Sequence, residues 1–115
     1  MNLYDFIKAL TKLNTEQNYK KEILVAFAEQ FEKIKTLNLS RERKELTIFT
    51  TDIENDTETK TITDLQNFIS AYFVNIDDTK KYIVNIFGKN KKEYNVIDVD
   101  TDIEELITIG VADEY

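Results

Sequence analysis

Carboxylates are the side chains with chemical capacity that this sequence holds in quantity. It has twenty-two Asp and Glu against fifteen Lys and Arg, for a net charge of -7. Their distribution is uneven. Residues 1–50 carry a small positive excess, whereas Asp98 to Tyr115 contains seven acids and no base. Asp98, Asp100, Asp102, Glu104 and Glu105 form the densest run. Carboxylates spaced along a strand end and a helix start can imitate the phosphates of a nucleic acid, and net negative charge steers association with basic partners. The plainer reading is that acids in the first turn of a helix are favoured by its dipole and keep the surface soluble. A second set, Asp52, Glu54 and Asp56, with Glu58 beyond it, falls at an expected hairpin tip. Alternate positions of a strand share a face, so these could extend the acidic surface or form an ordinary charged turn.

Other chemistries are closed off by what is missing. The sequence has no His, Cys, Pro or Trp. Ser-His-Asp and Cys-His catalysis, thiolate zinc, iron–sulfur clusters and disulfide scaffolds all need at least one of the first two. With Gly88 and Gly110 as its only glycines, the chain cannot build a Gly-rich phosphate loop. Asp98-Val99-Asp100-Thr101-Asp102 follows the opening of a calcium loop. The sixth and twelfth positions, which need Gly and Glu, are Ile103 and Ile109, so no such loop is expected. The basic clusters Lys89, Lys91, Lys92 and Arg41, Arg43, Lys44 are not interleaved with aromatics. With an isoelectric point near 4.6, direct nucleic-acid binding is not expected either. No cofactor and no enzymatic activity are expected. The terminal Asp113-Glu114-Tyr115 could anchor a partner or simply fray.

These groups must be positioned by a single domain over residues 1–115. Leu3, Phe6, Ile7, Leu10 and Leu13 predict a helix over 3–13, with Asn2 as N-cap. Tyr19, Ile23, Ala26, Phe27, Phe31, Ile34 and Leu37 predict a long amphipathic helix over 16–37. Strands are expected over 45–51 and 57–63, joined by the turn at Glu54-Asn55-Asp56. A third helix is expected over 64–74, opened by a Thr63–Gln66 capping box. Strands over 81–87 and 93–99 flank a turn at Gly88-Lys89-Asn90. Thr101-Asp102-Ile103-Glu104 predicts a last short helix, with Gly110 as its C-terminal stop. The expected order is α-α-β-β-α-β-β-α: an α+β fold with a four-stranded, largely antiparallel sheet and helices on one face. No spanning segment or leader pattern is visible, which points to the cytoplasm.

The expectation for function is a small, acidic, non-enzymatic binding protein. Its abundant Lys, Ile and Asn suggest AT-rich coding, as in phages and mobile elements. It would act as an inhibitor of the anti-CRISPR or anti-restriction type, mimicking nucleic acid in the basic groove of a host enzyme. Asp98, Asp100, Asp102, Glu104 and Glu105 would carry most of the steering, with Asp52, Glu54 and Asp56 as a second patch. The alternatives are an immunity protein that neutralises a toxin such as a nuclease, and a structural or assembly protein. The sequence leaves the oligomeric state open.

Overall fold

Residues 1–102 and 104–112 are described by a computed structural model. The sequence first forms the expected helix α1, Leu3–Leu13, in which Asn2 accepts the Asp5 N–H at 2.8 Å. Three strands follow: β1 (Ile23–Ala26), β2 (Phe31–Ser40) and β3 (Glu45–Asp52). The chain then passes through an extended strap, helix α2 (Ile62–Ser70) and a 3-10 helix (Ile76–Lys81). It ends in β4 (Ile83–Phe87), β5 (Glu93–Thr101) and β6 (Ile107–Val111).

The six strands close into a barrel in sequence order. Each half of the chain supplies a helix followed by three strands that pair antiparallel. The halves are sealed by two parallel seams, β3 against β4 and β6 against β1. The expected four-stranded sheet with helices on one face is therefore replaced by a six-stranded mixed barrel with element order α-β-β-β-α-3-10-β-β-β.

The largest departure is at residues 16–37, where β1 and the first part of β2 stand in place of a helix. Ile23 and Val25 are buried at strand spacing, and Phe27 to Gln30 form the link to β2. The apparent helical period continues because the β2–β3 register shifts between Ile34 and Thr36. This bulge lets Ile34 sit opposite Thr50 and Leu37 opposite Ile48, so two residues three apart both face the core. The same device acts in β5. A register shift between Val96 and Asp98 buries Val96 and Val99 and turns Ile97 outward, where it is 58% exposed.

The expected strand over 57–63 is also absent, although Glu22 and Thr61 form an isolated bridge. Residues 53–60 are instead the strap, pinned by Lys33, which is buried beneath it. The Lys33 ammonium donates to the carbonyls of Asn55 at 3.2 Å and Thr57 at 2.6 Å, and lies 3.9 Å from the Glu22 carboxylate. The α2 helix starts two residues earlier than the Thr63 capping box implies. Thr61 is the N-cap and Asp64 its reciprocal partner. The last expected helix is strand β6, and Gly110 lies within it opposite Asp98 rather than at a helix end.

One core joins the barrel and both helices. Leu3, Phe6 and Leu10 of α1 and Ile62, Leu65 and Ile69 of α2 pack with Val25, Ile48, Ile86, Val99 and Ile109. No helix among the described residues is long and apolar enough to cross a membrane.

Lys44 closes the β2–β3 hairpin at φ 55°, a left-handed conformation that costs an L-residue about 1–2 kcal/mol. Gly adopts it freely but adds entropy to the unfolded chain. Lys44→Gly is therefore expected to raise stability by about 0.5–1 kcal/mol. Urea unfolding should show a higher midpoint at unchanged slope.

Candidate functional site

The barrel has two rims, and the two acidic sets lie at opposite ends of it. In the parallel β3–β4 pair Glu45 is opposite Ile83 and Phe49 opposite Phe87, so Asp52 lies beyond the C-terminal end of β4. Since β5 runs antiparallel to β4, its C-terminal end and the turn to β6 lie at the other rim.

The β5 set lies along one strand and the turn that follows it. Asp98 and Asp100 are exposed on the outer face of the strand, opposite Gly110 and Thr108 of β6. Glu104 and Glu105 are exposed in the turn that follows. Among the described residues none of these four carboxylates is ion-paired. Ile97, turned out by the bulge, places an apolar side chain beside them.

Asp102 has a different task. Its carboxylate accepts the N–H groups of Glu104 and Leu106, both at 2.9 Å, and its own N–H donates to the Leu106 carbonyl at 3.0 Å. It therefore builds the β5–β6 turn, in the manner of Asx residues that mimic backbone turns. The capping motif read at 101–104 is this turn. Glu105 completes it at φ 62°, and its carbonyl accepts the Lys21 ammonium at 3.0 Å. Ile103 and the terminal Asp113, Glu114 and Tyr115 lie outside the described residues.

Asp52, Glu54 and Asp56 sit at the opposite rim and are not brought to the β5 surface. Glu54 and Asp56 are exposed in the turn after β3. Asp52 is ion-paired with Lys89. The hydrogen bond from the Lys89 ammonium to that carboxylate holds its pKa above the ordinary value of 10.5, with the negative charges of Asp52 and Glu32 acting the same way against partial desolvation. A raised lysine pKa favours the folded state below the ordinary value, and that contribution fades as pH rises through the raised one. The pair therefore stands throughout the neutral range.

Between these features lies a residue whose role was not visible in the sequence. Glu32 is only 3% exposed, a carboxylate at the mouth of an apolar barrel. Its Oε1 accepts the Thr50 hydroxyl at 2.5 Å and the Lys89 backbone N–H at 3.2 Å, and its Oε2 accepts from Gln30 at 2.9 Å. Burial of a charge is tolerated where several donors replace its water. Here the donors come from the β1–β2 link, β3 and the β4–β5 turn, so one side chain ties three segments of the rim together.

The turn so fixed carries Lys89 and Lys91, the latter at φ 66°. With Lys35, Phe49, Thr50 and Phe87 they line a cavity of about 250 Å3. Phe49 and Phe87 are half-buried, their ring centroids 5.5 Å apart and their planes tilted by 60°. The basic residues of the β4–β5 turn thus stand beside aromatics supplied by neighbouring strands. An outward aromatic next to buried Ile48, and another next to buried Ile86, was the available signal.

No protein-family model, curated protein or solved structure matches this chain.

Replacing Glu32 by Ala strips the Lys89 N–H of its acceptor, leaves the Thr50 hydroxyl only the Phe87 carbonyl at 3.5 Å, and is expected to cost about 3 kcal/mol. Glu32→Gln keeps one acceptor oxygen and should cost about 1 kcal/mol. Urea unfolding measures both, and faster hydrogen exchange at the Lys89 amide should accompany the larger loss.

Proposed function

We propose that this protein is a non-enzymatic binding protein that engages a basic partner through the outer face of β5 and the turn beyond it. The observation that supports this most directly is the run of exposed carboxylates, Asp98, Asp100, Glu104 and Glu105, without ion-pair partners among the described residues and starting next to the outward Ile97. Charged groups at an interface speed encounter and select the partner, while an apolar side chain buried against it supplies affinity. Asp102 shapes the surface instead of contacting the partner. Asp52, Glu54 and Asp56 belong to another rim and are not part of it.

The occupant of choice is a nucleic-acid-binding groove. Alternate residues of a strand repeat at about 6.8 Å. Asp98 and Asp100 thus offer a close row of negative charge that a phosphate-binding groove would accept, and the protein would exclude DNA or RNA from it. An inhibitor of a nucleic-acid-processing enzyme, of the anti-restriction or anti-CRISPR type, has this chemistry.

Competition with labelled duplex DNA for such enzymes tests the proposal. The wild-type protein should displace DNA from one of them, and less so as salt rises. A variant carrying Asp98→Asn, Asp100→Asn, Glu104→Gln and Glu105→Gln should be about tenfold weaker or worse. Ile97→Ser should weaken binding at all salt concentrations. Undiminished competition by the fourfold variant would reject the β5 surface as the binding site.

A further inference from the structure

The cavity at the other rim has the parts of a small-ligand site, and it stands independently of the β5 surface. In a protein of net charge -7, three of fifteen basic residues, Lys35, Lys89 and Lys91, border this one depression. Among the described residues, Lys35 and Lys91 have no ion-pair partner. Its apolar wall is the Phe49–Phe87 pair, whose rings are only half-buried. The Thr50 hydroxyl lies between that wall and the buried Glu32 carboxylate, whose charge is already met by three donors. The β4–β5 turn is fixed by the same carboxylate, so Lys89 and Lys91 are held at the edge before anything binds. Lys91 is retained in a left-handed conformation where Gly would be unstrained, and backbone strain of this kind concentrates at binding sites.

We infer that this cavity takes a planar aromatic anion of nucleoside-monophosphate size, its ring against Phe49 and Phe87 and its phosphate among Lys35, Lys89 and Lys91. At about 250 Å3 it falls just below the roughly 300–1,000 Å3 typical of ligand pockets. That accommodates one ring system with its phosphate at the edge. Aromatic stacking tolerates any base, so the site selects for a ring and an anion together. Asp52 competes with the phosphate for the Lys89 ammonium, and removing its charge strengthens binding.

The test is titration of the full chain with adenosine 5′-monophosphate, followed by the backbone amides of residues 87–92 and the Phe49 and Phe87 ring signals in NMR spectra. Saturable shifts are expected, with adenosine alone and inorganic phosphate alone each binding more weakly. Lys91→Gly relieves the strained turn while removing a cation, so the fold is preserved, and affinity should fall roughly threefold to fivefold. Phe49→Leu should lower it roughly fivefold or more. Asp52→Asn should raise it by about threefold. The proposal is overturned if inorganic phosphate binds as well as the nucleotide, or if Lys91→Gly and Phe49→Leu leave the affinity unchanged. It is equally overturned if the shifts appear only with oligoadenylates and grow with their length, which would indicate a surface track in place of a pocket.

Discussion

Closure of the barrel through two parallel seams is the constraint from which the other features follow. A parallel pair cannot be joined by a tight turn. The passage from β3 to β4 must return across the barrel, and the strap, α2 and the 3-10 helix occupy that return. Lys33 is buried because the strap crosses it, and α2 is docked because the strap delivers it to the start of β1, where the Ile23 N–H donates to the Lys60 carbonyl at 2.8 Å. Closure also leaves the sheet with no terminal strand. The exposed carboxylates and lysines lie on the outer faces of the strands and in the turns.

Those outer faces divide the chemistry. The wall at β5 gathers carboxylates and one apolar side chain, whereas the far rim at the ends of β2, β3 and β4 gathers lysines and aromatics. A buried carboxylate organises the second region. Glu32 occupies an inward position that an apolar residue could fill, but an apolar residue would leave the turn of Lys89 untied. Both regions depend on a bulge. Lys35 is the extra residue of the bulge in β2, and Ile97 that of the bulge in β5. Bulges re-aim side chains, and in each half of this barrel one of them does so.

Much of the local structure was legible from residue patterns. The α1 helix, β3, the Gly88-Lys89-Asn90 turn and the strands around it stand close to where spacing places them. The bulge in β2 hid part of the rest. Ile34 with Leu37 carry a three-residue step that reads as helical until a partner strand reveals the extra residue. The acidic turn at 101–105 misled because Thr101 and Asp102 are residue types that cap helices as readily as they close turns, and nothing local says whether a helix follows. The Phe–Lys cavity was illegible because its residues come from three strands and a turn, and only the Phe49–Phe87 register assembles them.

The seam between β1 and β6 has a consequence in time. It sets Ile23 beside Ile107 and Ala26 beside Gly110, joining residues from nearly opposite ends of the chain. Contacts of such separation are made only after a large loss of chain entropy, and proteins dominated by them fold slowly, in milliseconds to seconds. During synthesis the first three strands emerge with no partner for β1 on its outer side. The ring cannot close until the last strand has left the ribosome. Until then the growing chain leaves open the edge of β1 that the finished molecule joins to β6, and that edge is available for mispairing during the interval.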